Sequence, residues 1–217
     1  LSFGANYFQP NLQSNSSVNL NIPGTLRLVG IMAQFPIEDP DSSKTSGNGQ
    51  FLSGDVTEYI NFFESEIPRC KGFLVDRPPH NSLYFQKQLE AVGNYYTNVS
   101  DSNLFYTAKI IENPDSTYGY YTVSYDMEYY AQADTSLADF FTEALKLAAD
   151  DIEDYFDFEN LGLTPDELVF VVFHAGLGQD FSYPSLDPTI YDLKSAYIEK
   201  SMYKDKDIEV ISPAIIF

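Results

Sequence analysis

The sequence predicts an α/β domain (an α+β variant of it) in which packed helices cover a mixed, twisted sheet. Two runs of apolar, β-prone residues, TLRLVGIMAQF (Thr25–Phe35) and LVFVVF (Leu168–Phe173), read as buried strands. Between them lie two long stretches with apolar residues at three- and four-residue spacing, the pattern of helices that bury one face. Loop and turn signals rich in Pro, Gly, Ser and Asp separate the four.

Residues 1–24 are rich in Asn, Ser and Gln and close on Pro23-Gly24, which predicts an extended N-terminal arm or linker ahead of a domain spanning 25–217. After the first strand, IEDPDSSKTSGNGQFLSGD (Ile37–Asp55) reads as a surface loop. Ser82–Ser100 is predicted as a helix capped by Ser82, with Phe85, Leu89, Val92, Tyr96 and Val99 on its apolar face. Residues 104–112 (LFYTAKIIE) read as a strand, Asn113-Pro114-Asp115 as a turn, and TYGYYTVSYDMEYYAQ as a tyrosine-dense extended segment running into a docking loop. Thr135–Asp157 is predicted as one helix, capped by Thr135 or Ser136. Leu137, Phe141, Ala144, Leu145, Ala148, Ile152 and Tyr155 share its inner face. Asp150, Asp151, Glu153, Asp154 and Asp157 then fall in its C-terminal half, where carboxylates oppose the helix dipole. Leu168–Phe173 shows no alternation, which predicts the central strand, covered on both faces.

The chain has 217 residues, enough for a sizeable core, and 44% are hydrophobic. Its formal charge is −20, and from Asp134 to Asp192 there are 14 acids against the single Lys146. Such a polyanion repels phosphates, which argues against nucleic acid and anionic membrane surfaces as partners. No segment reaches the roughly 20 apolar residues of a membrane span. The single cysteine, Cys70, can form neither an internal disulfide nor a cysteine-based metal site. The chain opens on Leu1, which reads as a removed signal peptide or a cut. The closing Ile215-Ile216-Phe217 reads as a cut that exposes surface needing a covering partner.

Catalytic signatures are sparse. There is no HExxH, no G-x-S-x-G, no P-loop and no dinucleotide fingerprint. The chain has two histidines, His80 and His174. His174 stands where the apolar strand emerges into AGLGQD, and Gly176 and Gly178 allow a sharp turn there. It either bonds backbone groups of that loop or faces a site, so His174, Gly176, Gly178 and Gln179 form a loop-shaping or cleft-lining set. Asp180, Asp187 and Asp192 supply oxygens suited to calcium, without EF-hand spacing. Asn15-Ser16-Ser17 and Asn98-Val99-Ser100 match the N-glycosylation acceptor pattern.

Several stretches, in order, resemble the secreted metalloproteases of the immune inhibitor A type, a branch of the HExxH zinc peptidases. They are TLRLVGIMAQFP, TSGNGQF, PHNSLYFQKQLEAVGNYYTNVS, YTVSYDMEYYAQ, VFHAGLGQDF and YDLKSAYI. The resemblance runs from Thr25 to about Ile198 and is most specific at His174-Ala175-Gly176. It implies the N-terminal half of a zincin-type domain, from a protein secreted by or displayed on bacteria. Two departures stand out. DFENLGLTPDE (Asp157–Glu167) lacks the aspartate-rich calcium loop of many members, and the HExxH helix, expected beyond the His-Ala-Gly loop, has no counterpart before Phe217. No zinc ligand or catalytic glutamate carries over.

The expected function is therefore the non-catalytic portion of a secreted metalloprotease-like protein. Zinc belongs only to the complete family enzyme, and the partners are a downstream catalytic half and, once that is in place, a protein substrate. The alternative is an extracellular structural or adhesive subunit, built on the same fold and associating with identical copies. His174 is expected to shape its loop in either case.

Overall fold

The computed structural model describes residues 25–39, 44–54, 78–156, 167–181 and 189–198. The expected arm over 1–24, Cys70, Asp187 and the apolar stretch at 215–217 lie outside the described residues.

Strand β1 (Thr25–Gln34) organises the rest. Val29, Ile31, Met32 and Ala33 are fully buried, as expected of an apolar run covered on both faces. It pairs in parallel with β2 (Phe105–Ile111) on one side, where Thr25 to Ile31 run in register with Phe105 to Ile111. Nearer its carboxyl end, Ala33 and Gln34 pair with the short β3 (Tyr121–Thr122). On its other side Arg27 to Ala33 pair with β4 (Leu168–His174). Every described pairing is parallel, where a mixed sheet was expected.

The position of centre strand is likewise corrected. β1 is flanked on both sides, whereas β4 pairs with β1 alone among the described residues and its side chains are only partly buried. An uninterrupted apolar run marks a strand with little water around it but does not say how many neighbours it has.

Helix α1 (Ser82–Val99) crosses from β1 to β2. Its N-cap is Asn81, not Ser82: the Asn81 side-chain oxygen accepts from the Tyr84 N–H at 3.0 Å. The buried face is Phe85, Leu89 and Gly93, while Val92, Tyr96 and Val99, expected inside, are exposed. Glycine turns the helix this way. A Cβ at Gly30 would overlap Ile110 Cδ1 and meet Leu89 Cδ1 at 2.8 Å, so α1 lies directly on the backbone of β1. Gly93 likewise sits against Tyr106. Gln86 then closes the outer edge of β2: its amide N–H donates to the Ala108 carbonyl at 2.8 Å and its oxygen accepts from the Ile110 N–H at 3.0 Å.

The extended reading of TYGYYTVSYDMEYYAQ is half right. β3 is followed by a short helix, α2 (Met127–Ala131), capped by Asp126, whose oxygen accepts from the Tyr129 N–H at 3.0 Å. The long helix expected at Thr135–Asp157 is two: α3 (Asp134–Leu147) and α4 (Ala149–Tyr155), hinged at Ala148 (φ −95°, ψ 0°). No side chain caps α3, although Thr135 or Ser136 was expected to. The break changes the electrostatics of two residues of the acidic run, while Glu153 and Asp154 stay near a helix C-terminus. Asp150 and Asp151 stand in the first turn of α4, where carboxylates complement the dipole rather than oppose it. Asp151 also accepts from the Tyr121 hydroxyl at 2.6 Å, fastening α4 to β3.

Consecutive residues of β4 place the layers. Phe173 packs on Phe85 of α1 (ring centroids 4.6 Å apart), and His174 meets Phe140 of α3 (6.4 Å). Adjacent strand residues point to opposite faces, so α1 and α3 cover opposite faces of the sheet. This is the arrangement that right-handed crossovers produce when the chain moves first to one side of β1 and then to the other.

Candidate functional site

In an open parallel sheet of this kind, ligands bind outside the carboxyl ends of the strands, where neighbouring connections part to opposite faces. Here that point lies between β1 and β4. Three stretches meet there: the loop after β1, the loop after β4, and residues 189–195.

The first contact is backbone to backbone, Ala175 N–H to the Ala33 carbonyl at 3.2 Å. Gly176 then turns the chain at φ +89°, a conformation that side-chain-bearing residues rarely adopt. Its Cα faces the Met127 methyl and Ser46 so closely that a Cβ would overlap the methyl. Gly178 does not use that region of backbone space. The Leu177 N–H donates to Ser46 Oγ at 2.9 Å. The Gln179 N–H donates to the Leu193 carbonyl at 2.8 Å as the chain enters a turn of 3₁₀ helix (Gln179–Phe181).

Asp192 is the buried hinge-pin of the cluster, 2% exposed. Its Oδ1 accepts from the Ser46 N–H at 2.7 Å and its Oδ2 from the Thr189 hydroxyl at 2.5 Å. A buried carboxylate is stable there because both oxygens are paired with donors. Glu38 plays a matching part on the other side. It accepts from the Thr45 hydroxyl at 2.8 Å and from the Met127 N–H at 2.9 Å, joining the β1 loop to α2. Asp180 accepts from the Ser195 N–H at 2.8 Å, and that bond above all holds its carboxyl below the usual range.

His174 points from the end of β4 toward α3. Its Nδ1 lies 2.9 Å from the Ala175 carbonyl; a carbonyl only accepts, so Nδ1 carries the proton. Burial lowers its pKa, only partly countered by the Ala175 bond and by the charges of Asp192 and Asp180. The imidazole is therefore neutral at pH 7, fixed to the loop it begins.

The predicted loop-shaping set, His174, Gly176, Gly178 and Gln179, is thus contiguous with Asp180 and Asp192, while Asp187 lies outside the described residues. Sequence reading overlooked the partners: Glu38, Thr45 and Ser46 sit in the β1 loop and Thr189 beyond β4. The only hint was a Ser/Thr/Gly-rich loop opposite a Gly-rich one. A small crevice of about 120 Å³, bordered by Tyr130, Gln179, Asp192 and Lys194, remains open at this junction.

The described residues do not fit a zinc ion. His80 stacks among Tyr84 and Phe85 of α1, whereas His174 packs on the α3 face, so the sheet separates the two imidazoles. Among the described residues no group of three or more His, Cys, Asp or Glu side chains is placed to hold a metal ion. Asp180 and Asp192, two of the three proposed calcium ligands, are engaged by donors of the strand-end stretches: Asp180 by the Ser195 N–H, and Asp192 by the Ser46 N–H and the Thr189 hydroxyl.

A second concavity went unseen in the sequence. An open groove of about 460 Å³ follows the carboxyl end of β3, lined by Tyr125, Tyr129, Tyr130, Asp139, Thr142, Glu143 and Lys146. Glu143 anchors it, accepting from the Ser124 N–H (2.7 Å), the Ser124 hydroxyl (2.6 Å) and the Tyr130 hydroxyl (2.5 Å). Burial first, and then the bond to Glu143, push the Tyr130 pKa up, so its hydroxyl stays protonated and donating. The lining residues come from α2, α3 and the turn before α2, all between Tyr125 and Lys146, and it is the packing of α2 on α3 that gathers them. Comparison with protein-family models, curated proteins and solved structures returned no match to this chain.

Proposed function

We propose that this chain is the non-catalytic portion of a secreted, bacterial metalloprotease-like protein: a scaffold forming sheet and cleft wall, with the zinc-bearing helix supplied by other residues. The observation that carries the reading is the self-contained chemistry at the strand ends. His174 bonds the loop it begins, while Asp180 and Asp192 tie the three strand-end stretches to one another. The order of family-like stretches from Thr25 to Ile198 supports it independently. Any zinc, and the water activation it would supply for peptide hydrolysis, would be held by residues other than these; this chain's part is to form the sheet and the cleft wall. The test is zinc binding and casein cleavage by the purified chain. The reading predicts neither. Stoichiometric zinc together with chelator-sensitive proteolysis would overturn it.

A specific observation favours a second reading, an extracellular structural subunit that associates with identical copies. Val92, Tyr95, Tyr96 and Val99 form an exposed apolar stripe on α1, in a stretch without charged residues on a chain of charge −20. Sedimentation equilibrium over a wide concentration range separates the two. A persistent monomer removes the second reading, and a defined oligomer broken by Tyr95→Asp supports it.

A further inference from the structure

The tyrosine-lined groove at the end of β3 is a feature that the scaffold reading does not use. Tyr125 and Tyr129 stack on each other, centroids 4.3 Å apart and planes at 28°, yet they remain 53% and 41% exposed. Two half-exposed rings held parallel are a rigid platform that costs little entropy to present. Tyr130, fully buried, crosses them edge-on at 6.1 and 5.1 Å and forms the floor. Asp139 and Glu143 border the same space, and the Glu143 carboxylate is immobilised by Ser124 and Tyr130.

Aromatic faces attract cations through their quadrupole, and carboxylates beside them add a full negative charge. The chain's overall charge of −20 raises the local concentration of any cation and lowers that of any anion. We propose that this groove binds the cationic end group, guanidinium or ammonium, of a basic peptide side chain. Stacking on Tyr125 and Tyr129 supplies the contact area, and Asp139 and Glu143 supply the charge. Lys146 stands at the rim, exposed and without an ion pair among the described residues. It opposes the same cation, holding the affinity down.

The tyrosine platform gives the proposal a test that diffuse attraction to an acidic protein fails, since its removal leaves the charge unchanged. The probe is acetyl-Gly-Arg-Gly-amide, titrated calorimetrically into the full chain at low salt, with acetyl-Gly-Gln-Gly-amide as the uncharged control. The arginine peptide should bind and the glutamine peptide should not. Tyr129→Ala, which changes no charge, should weaken binding about threefold or more, and Lys146→Ala should tighten it by a similar factor. Circular dichroism checks that each variant is folded, and Tyr125→Ala substitutes if Tyr129→Ala is not. Absence of binding, binding unchanged in the folded tyrosine variant, or binding weakened by Lys146→Ala would each overturn the assignment.

Discussion

Replacing Asp192 by alanine tests how the loops at the strand ends are held. The carboxylate accepts from the Ser46 N–H and the Thr189 hydroxyl, and all of it is out of water. Hydrogen bonds to a charged group each contribute about 1.5–3 kcal/mol, and a buried donor left without a partner costs about 1–3 kcal/mol. Because Ser46 in turn holds Leu177, the effect spreads to both loops. Allowing for water entering the vacated space, Asp192→Ala should cost about 3 kcal/mol. Asp192→Asn keeps an acceptor for Ser46 and turns a donor toward the Thr189 oxygen, so it should cost only about 1 kcal/mol. Urea unfolding monitored by circular dichroism reads both, with an unchanged m-value showing that the unfolded state is the same. An alanine variant within about 0.5 kcal/mol of the parent would show that Asp192 does not pin the loops, and the reasoning would fail.

Other outcomes follow from the same contacts. Gly176→Ala should destabilise by about 2 kcal/mol, because the new Cβ meets both a strained φ of +89° and the Met127 methyl; thermal unfolding measures this. His174 has a folded pKa below its unfolded value, so the unfolded chain takes up its proton first as pH falls. Its contribution is full above about pH 6.5 and is lost as pH drops through that value toward the folded pKa. His174→Gln should remove this part of the pH dependence in urea midpoints measured between about pH 7.5 and pH 5. Asp180 adds a loss of the same sign at lower pH, through the carboxylate range. Gln86→Ala should cost about 1 kcal/mol and open the outer edge of β2 at Ala108 and Ile110, giving concentration-dependent association in sedimentation velocity.

The elements were legible wherever periodicity or an apolar run marked them: β1, β2, β4, α1 and most of α3. What stayed hidden depended on contacts across the chain. The α3–α4 break at Ala148 carries no Gly or Pro, and the apolar stripe continues through Ile152, so the sequence offers one helix where packing makes two. The α1 face was misread because Gly93 and Gly30, both without side chains, let that helix approach β1 and β2 where an apolar count expected Val92 and Tyr96. β1 and β4 look alike as strings of apolar residues, and only strand pairing separates centre from flank. At the site, His174, Gly176 and Asp180 were marked by their place after an apolar strand. Ser46, Thr45 and Glu38, more than a hundred positions earlier, had no signal of their own until β1 and β4 lay side by side.

Native-state hydrogen exchange at the Ser46, Leu177, Gln179 and Ser195 amides tests most directly whether the strand-end loops hold themselves or await a metal. Closed loops predict protection approaching that of the β1 amides, unchanged by millimolar zinc or calcium. Fast exchange that slows on adding either ion would contradict it, marking the His174 loop as an open metal site.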